Sequence, residues 1–68
     1  MRYEYRITSD SPEFEDVNVE LGQCNYCLTY MLGRVDPRLE SGASWAEVQF
    51  VRVDDDGTYE VLRRLRLD

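Results

Sequence analysis

The dipeptide Asp56-Gly57 constrains the fold more than any other feature, because it separates two segments in which apolar and polar residues alternate. Asp tolerates and Gly accepts a positive φ, so the pair is typical of a two-residue type I′ hairpin turn. Such a turn fixes the strand register and places Asp55 opposite Thr58 and Val53 opposite Glu60. The same count predicts the outer pairs Phe50 with Arg63, Val48 with Leu65, Glu47 with Arg66, and Ala46 with Leu67. The side chains predicted to face a covering helix are Tyr59, Val61, Leu65 and Leu67.

The segment before this hairpin is ambiguous, since Val17, Val19 and Leu21 alternate as in a strand. We favour a helix from about Leu21 or earlier to Leu32, because helical spacing relates the apolar residues Leu21, Cys24, Leu28, Met31, Leu32 and Val35. Gly33 would then provide the C-cap, and Pro37 would lie beyond the end of the helix.

The opening residues complete the predicted fold. Residues 2–8 alternate Tyr3, Tyr5 and Ile7 with charged or polar residues, which predicts a half-buried strand. The polar residues that follow, with Pro12 among them, predict a loop. The sequence therefore predicts one α+β domain over residues 1–68, in which a three-stranded antiparallel sheet carries one helix on one face in the order β-α-β-β.

Charge limits the kinds of partner. The 68 residues include fourteen carboxylates against eight Arg, without Lys or His, and the formal net charge is −6. Such a charge disfavours direct binding to nucleic acid or to an anionic membrane and favours a basic protein surface as the partner. The charged first residues argue against a signal peptide, and no apolar run approaches the ~18 residues of a membrane span. We therefore expect a cytoplasmic protein and, by default, a monomer.

The two cysteines, Cys24 and Cys27, have the spacing of a redox pair and of half a zinc site. Without His or a second cysteine pair, zinc would need two chains, and a thioredoxin-like enzyme would need a longer βαβ scaffold. We therefore interpret Cys24 as a core residue on the stripe with Leu28 and Leu32, and Cys27 as a residue at the edge of the core. We expect no metal and no cofactor.

Two other patterns suggest a calcium site and a phosphate-binding patch, and the residues favour neither. The run from Asp54 to Gly57 suggests a calcium loop, but Arg52 and Arg63 would occupy the first and twelfth positions, where calcium requires acidic ligands. A cluster of arginines could be mistaken for a phosphate-binding patch, yet nearby carboxylates favour internal ion pairs for these residues: Arg52, Arg63, Arg64 and Arg66.

Two acidic runs are the candidate site. One is Asp54, Asp55 and Asp56 at the hairpin tip. The other lies before or at the start of the predicted helix and consists of Asp10, Glu13, Glu15, Asp16 and Glu20, of which Glu13, Glu15 and Asp16 in the loop are the predicted binding residues. Adjacent carboxylates repel one another, so a role in partner binding stands beside the alternatives of solubility and of complementing a helix dipole. Enzymatic chemistry is not expected, because the chain has no His, no Lys, no nucleophile motif and no glycine-rich phosphate loop.

In length, acidity and layout the chain resembles the small anti-CRISPR proteins of phages and mobile elements, and the matching segments are "SPEFED" and "VDDDG". The resemblance implies a stoichiometric inhibitor that binds a CRISPR effector subunit by presenting carboxylates where DNA phosphates would lie. The arginines Arg63, Arg64 and Arg66 depart from that pattern. The alternative is a small phage or bacterial accessory module that binds protein through an exposed aromatic surface of Tyr26, Tyr30 and Trp45.

Overall fold

The structure is a computed structural model that describes residues 1–68. Its elements in chain order are β1 (Arg2–Ser9), β2 (Val17–Leu21), α1 (Leu28–Glu40), β3 (Ala46–Val53) and β4 (Tyr59–Leu67). The strands form one antiparallel sheet in the order β2-β1-β3-β4. The predicted α+β class is confirmed.

The predicted number of strands is wrong, because Val17–Leu21 is a fourth strand. Val17, Val19 and Leu21 pair with Ile7, Tyr5 and Tyr3 of β1, respectively. Their alternation, which the sequence left ambiguous, places three apolar side chains on the helix side of the sheet beside the rings of β1. The order of elements is therefore β-β-α-β-β.

The predicted bounds of the helix are also wrong. α1 begins after Cys27, whose Sγ accepts a hydrogen bond from the Tyr30 backbone N–H, and it continues through both Gly33 and Pro37. Its end is at Ser41, followed by Gly42 with a φ of 109°. The proline removes one hydrogen bond inside the helix. Packing against the sheet compensates for this loss, because α1 buries three side chains there: Met31, Val35 and Arg38.

The core lies between α1 and one face of the sheet. Its buried members are Tyr5, Ile7, Met31, Val35, Ala46, Val48 and Phe50. The rings of Tyr5 and Phe50 lie 5.3 Å apart at their centroids, and Tyr3 stacks on Phe50 at 5.8 Å. With so few fully buried residues, each large core side chain carries a substantial part of the stability, since burial of one such side chain contributes about 1.5–3 kcal/mol.

The hairpin of β3 and β4 has the predicted outer register but a different inner one. Val48 with Leu65, Glu47 with Arg66 and Ala46 with Leu67 are confirmed, as is Phe50 with Arg63. Near the turn, Val53 pairs with Tyr59 rather than Glu60, and Asp54 rather than Asp55 faces Thr58. The turn thus has three residues and ends at Gly57, whose φ is 89°.

An irregularity in β4 explains why the inner pairs are shifted by one residue while the outer pairs are as predicted. Val51 pairs with Val61 while Phe50 pairs with Arg63, so Leu62 is an extra residue in β4. This bulge turns Tyr59 and Val61 onto the face of the sheet away from α1, where both are exposed. The prediction that they face the helix is therefore wrong.

The face of the sheet away from α1, called the open face here, is covered by paired charges. Glu4 is buried between Arg2 and Arg6, at 2.9 and 3.4 Å. Glu47 is likewise buried and accepts from Arg64 at 2.8 Å, with Arg66 at 3.6 Å. The carboxylates in the middle of this face are thus matched by guanidinium groups, so the open face is not an acidic surface.

The molecule measures 36 × 22 × 17 Å along its principal axes. Its one helix has 13 residues and is neither long nor apolar enough to cross a membrane.

Candidate functional site

The two predicted acidic runs lie at opposite ends of the sheet. We call residues 10–16 the acidic loop and residues 54–57 the hairpin tip. The acidic loop follows Ser9, which pairs with Ala46, whereas the hairpin tip follows Val53, which pairs with Arg2. The seven steps along β1 from Arg2 to Ser9 separate these pairs by about 23 Å at the usual rise of a strand. The six predicted carboxylates therefore do not form one patch.

The carboxylates of the hairpin tip have partners within the chain. Asp55 contacts the N-terminal ammonium of Met1, and this hydrogen bond and charge lower the pKa of its carboxyl. Asp56 accepts from the backbone N–H of Thr58 at 3.0 Å and from its Oγ1 at 2.7 Å, which lowers the pKa of Asp56. Asp54 lies 3.8 Å from Arg52. Each of the three aspartates thus has a partner within the chain.

The acidic loop is held by its first residues against the segment that joins α1 to β3. Asp10 accepts hydrogen bonds from the backbone N–H groups of Ser44, at 2.8 Å, and Trp45, at 3.2 Å, and from the Ser44 hydroxyl. The Ser44 hydroxyl is the main cause that lowers the pKa of Asp10. The hydroxyl oxygens of Ser11 and Ser41 lie 2.8 Å apart. These contacts join residues about thirty positions apart in the chain.

The far end of the acidic loop is held by Arg38, which is only 2% exposed. Its guanidinium donates to the backbone carbonyl of Glu15 and, at 3.3 Å, to that of Arg34, and it lies 5.3 Å from the ring centroid of Phe14. Burial lowers the pKa of Arg38, and the nearby charge of Arg34 lowers it further. Arg38 therefore holds the loop through its backbone and leaves the Glu15 carboxylate free. Sequence reasoning missed this residue, since no local pattern distinguishes it from the other arginines.

The side chains of Glu13 and Glu15 have no hydrogen bond or ion pair within the chain, and both residues are exposed. Asp16 makes one long hydrogen bond, 3.4 Å, from the Ser9 N–H. Glu20 in β2 is exposed and also has no partner. The acidic loop and the adjoining strand thus present free carboxylates on a backbone that is held in place. Glu20, a member of the same acidic run that was not among the predicted binding residues, also belongs to this surface.

Internal ion pairs are confirmed for three of the four arginines for which they were predicted, Arg52, Arg64 and Arg66, and the prediction is wrong for Arg63, which has no carboxylate partner. Arg2, Arg6, Arg52, Arg64 and Arg66 each lie within 4.0 Å of a carboxylate. Because Arg64 and Arg66 share Glu47, the positive charge of β4 is partly neutralised at the edge of the sheet opposite β2.

The interpretation of Cys24 as a core residue is wrong. Cys24 and Cys27 are both exposed free thiols, because the helix starts at Leu28 and the segment before it lies outside the core. Cys27 instead caps the helix. No group of three or more His, Cys, Asp and Glu side chains is arranged to hold a metal ion.

The three aromatic residues of the alternative hypothesis do not form one surface. Tyr26 is 42% exposed and lies 5.7 Å from Phe50, and Tyr30 packs on Tyr5 at 4.6 Å, so both are on the helix side of the sheet. Trp45 is half-buried and lies 4.5 Å from the guanidinium carbon of Arg66, a residue of the open face.

Comparison with known proteins adds no relative: no family model, no curated protein and no solved structure matches the chain.

Proposed function

We propose that the chain is a stoichiometric, non-catalytic protein inhibitor that binds a basic surface of a CRISPR effector through its acidic loop and competes with target DNA. The observation that carries the proposal is the contrast within that loop: its backbone is held by Asp10, Ser11 and Arg38, while the carboxylates of Glu13 and Glu15 are unpaired. The resemblance in length and charge to anti-CRISPR proteins supplies the partner class.

The proposed mechanism is electrostatic competition. Lys and Arg side chains that line a DNA channel would pair with Glu13, Glu15 and Asp16 in place of phosphates. A fixed loop loses little conformational entropy on binding, and the carboxylates of Glu13 and Glu15 have no internal partner to give up. Complementary charge also raises the association rate, and this contribution decreases as salt screens the charges. The inhibitor would act in the cytoplasm of the cell that contains the effector.

The hairpin tip is a weaker part of the proposed surface. Asp55 and Asp56 would each exchange an internal contact for a contact with the partner, which reduces the net gain. The separation of about 23 Å also means that a partner would have to span the length of the sheet to contact both ends.

The test is a DNA-binding shift by purified effector complexes, run with the native protein and with two charge-reversed variants. Glu13→Arg with Glu15→Arg removes the free carboxylates, and Asp55→Arg with Asp56→Arg is the matched change at the other end. We expect the loop variant to lose at least about a hundredfold in affinity, since truncating one desolvated charge pair costs about 2–5 kcal/mol. The tip variant should lose less.

Circular dichroism of both variants provides the folding control, because the carboxylates of Glu13 and Glu15 make no internal contact. Equal inhibition by the native protein and the loop variant would remove the acidic loop from the mechanism. No inhibition of any effector tested, by any of the three proteins, would contradict the proposed function.

A second candidate function is a protein-binding accessory module. It is favoured by the exposure of three apolar side chains at the start of α1, Tyr26, Leu28 and Leu32, at 42%, 49% and 37%. If Leu28→Ser with Leu32→Ser abolishes partner binding and the loop variant does not, this second function replaces the first.

A further inference from the structure

The apolar side of strand β2 is only partly covered, since Val17, Val19 and Leu21 are half-buried. The backbone of α1 lies close to β1, β3 and β4, whereas none of its Cα atoms comes within 8 Å of a Cα atom of β2. A groove of about 310 Å³ lies beside this strand on the helix side of the sheet. Its lining is mainly apolar and consists of Tyr5, Val19, Leu21, Asn25, Cys27 and Tyr30. The groove therefore continues the apolar core to the edge of the sheet.

The floor and the far wall of the groove are fixed by Tyr5. Its hydroxyl accepts from the backbone N–H of Cys27 at 2.8 Å and donates to the carbonyl of Asn25 at 3.1 Å. Its ring lies 4.6 Å from that of Tyr30. These contacts join the segment before α1 to the centre of the sheet. The groove is thus formed before any ligand arrives, which reduces the cost of binding.

The backbone of β2 is available for pairing. The strand is at the edge of the sheet and is paired only with β1. In an antiparallel edge strand, alternate residues direct their N–H and C=O groups away from the sheet. An extended segment laid along β2 would satisfy these groups and place every second side chain over the groove.

The charge around this edge selects the occupant. The acidic loop and β2 contain five exposed carboxylates, of which Asp10 is bound to Ser44 and Trp45 and the others are Glu13, Glu15, Asp16 and Glu20. No basic residue occurs between Arg6 and Arg34. Glu20 lies on the open face, because it pairs with Glu4, whereas Val19 and Leu21 lie on the groove side. A neighbouring strand would therefore meet apolar side chains on one face and a carboxylate on the other. Pairing of two β2 strands from two copies would bring like charges together and is disfavoured.

We propose that β2 binds an extended segment of its protein partner as a fifth strand, in which apolar side chains enter the groove and alternate Arg or Lys side chains lie beside Glu20. The proposal rests on the proposed function, because it states how the same acidic end of the molecule holds a basic partner. The backbone hydrogen bonds of the added strand provide affinity, and the groove and the carboxylates select the sequence.

The experiment uses the whole chain and two synthetic peptides of one composition. In the first peptide Arg and Val alternate over seven residues, and in the second the same residues are arranged in pairs, so that neither face is uniformly apolar. Binding is measured by NMR titration and amide hydrogen exchange. We expect the alternating peptide to bind at least tenfold more tightly and to slow exchange at outward-facing amides of residues 17–21.

Two variants sharpen the assignment. Glu20→Gln should weaken binding of the alternating peptide several-fold. Asp36→Asn is the matched control, since Asp36 is an exposed carboxylate on α1 without an internal partner, and it should change nothing. An equal effect of both variants would show attraction to net charge alone and would overturn strand addition.

The remaining outcomes separate this proposal from the proposed function. Equal binding of both peptides would overturn strand addition and leave the acidic loop as a charged surface. No binding of either peptide would also overturn it, and the effector assay would still decide the proposed function. Slow exchange of β2 amides that depends on protein concentration without peptide would assign the edge to a second copy and overturn the proposal.

Discussion

The acidic loop and the hairpin tip are both rich in carboxylates, but those of the tip are paired within the chain and those of Glu13 and Glu15 in the loop are not. At the tip, Asp56 accepts from Thr58 within the turn and Asp55 pairs with the N-terminal ammonium of Met1, so both carboxylates are used inside the chain. In the loop, Glu13 and Glu15 accept nothing, and the backbone is held by residues from α1 and the segment after it. Charge density in a sequence therefore does not identify a binding surface. The partners of each carboxylate decide whether it is available.

The comparison also concerns distance along the chain. The contacts at the tip mostly join residues two apart, such as Asp56 and Thr58, and form whenever the turn forms. The contacts of the loop join Asp10 to Ser44 and Arg38 to Glu15, so they depend on the packing of α1 against the sheet. The loop should therefore lose its shape when the tertiary structure is perturbed, and the tip should keep its own.

The largest expected effect comes from Arg38→Ala. The change leaves the Glu15 carbonyl without its donor, so we expect the free energy of unfolding to fall by about 1–3 kcal/mol, the range for a buried polar group that loses its partner. Lost packing of the buried Arg38 side chain adds to this effect. Urea denaturation measures the loss. Amide hydrogen exchange should accelerate over residues 10–16 and remain unchanged at residues 54–58.

The matched control for this variant is Arg63→Ala. Arg63 is exposed, forms no ion pair and donates only to the carbonyl of the preceding residue. Its other contact is with the ring of Tyr26, 5.5 Å from the guanidinium carbon, so its loss should change stability by at most about 1 kcal/mol. Equal effects of the two variants, or unchanged exchange in the loop, would contradict the role given to Arg38.

The hairpin tip has its own test in Gly57→Val. Gly57 has a φ of 89°, which a β-branched residue adopts only with strain, so we expect a loss of about 1–3 kcal/mol, visible as a lower melting temperature. No atom crowds this position, so the effect isolates backbone conformation. Gly22→Val is the control, because Gly22 also has open space but no positive φ. An unchanged melting temperature for Gly57→Val would show that the turn tolerates another conformation.

The hairpin also shows how far sequence reasoning extends. The outer pairs from Phe50 with Arg63 to Ala46 with Leu67 followed from a two-residue turn, and they are confirmed. The turn in fact has three residues, and the bulge at Leu62 adds a compensating residue. The longer turn shifts the register by one residue and the bulge shifts it back, so the pairs beyond the bulge are the predicted ones. Alternation and turn chemistry do not contain such a compensation, because a bulge is selected by packing and twist.

The helix was misplaced for a different reason. The spacing of Leu28 and Leu32 suggested a buried stripe, yet both are partly exposed, and the side that faces the sheet carries Met31, Val35 and Arg38. Because one buried residue of that side is Arg38, a search for apolar spacing does not extend the stripe to it. The rule that proline ends a helix then favoured an early stop at Gly33. Tertiary contacts overrode both local signals.

The candidate site was predicted in composition but not in arrangement. Glu13, Glu15 and Asp16 are on the surface, as are the tip aspartates, but their separation depends on β1 pairing with β3. That pairing joins residues up to about fifty positions apart and has no local signature. The role of Arg38 also has no local signature, because it depends on a hydrogen bond to the carbonyl of Glu15, 23 residues earlier in the chain.

The smallest expected effect concerns pH and separates a long-range carboxylate contact from a local one. The pKa of Asp10 is lowered mainly by the Ser44 hydroxyl, and that of Asp56 mainly by the Thr58 hydroxyl. Because each folded pKa lies below its unfolded value, the stability from each contact is present above the unfolded pKa and is lost as pH falls through the folded pKa. Both carboxylates are exposed, so solvent screening keeps the contribution small.

Ser44→Ala should raise the pKa of Asp10 without restoring it fully, since the N–H groups of Ser44 and Trp45 still donate, and should leave the pKa of Asp56 unchanged. Thr58→Ala should do the reverse. Carbon-detected NMR titration of the side-chain carboxyls measures both. The two variants should differ in reach: the first should accelerate amide exchange in the acidic loop, because the Asp10 contact joins two distant segments, and the second should affect the tip alone. Faster exchange in the loop of the Thr58→Ala protein would show that the two acidic ends are coupled through β1, and the contrast between them would then fail.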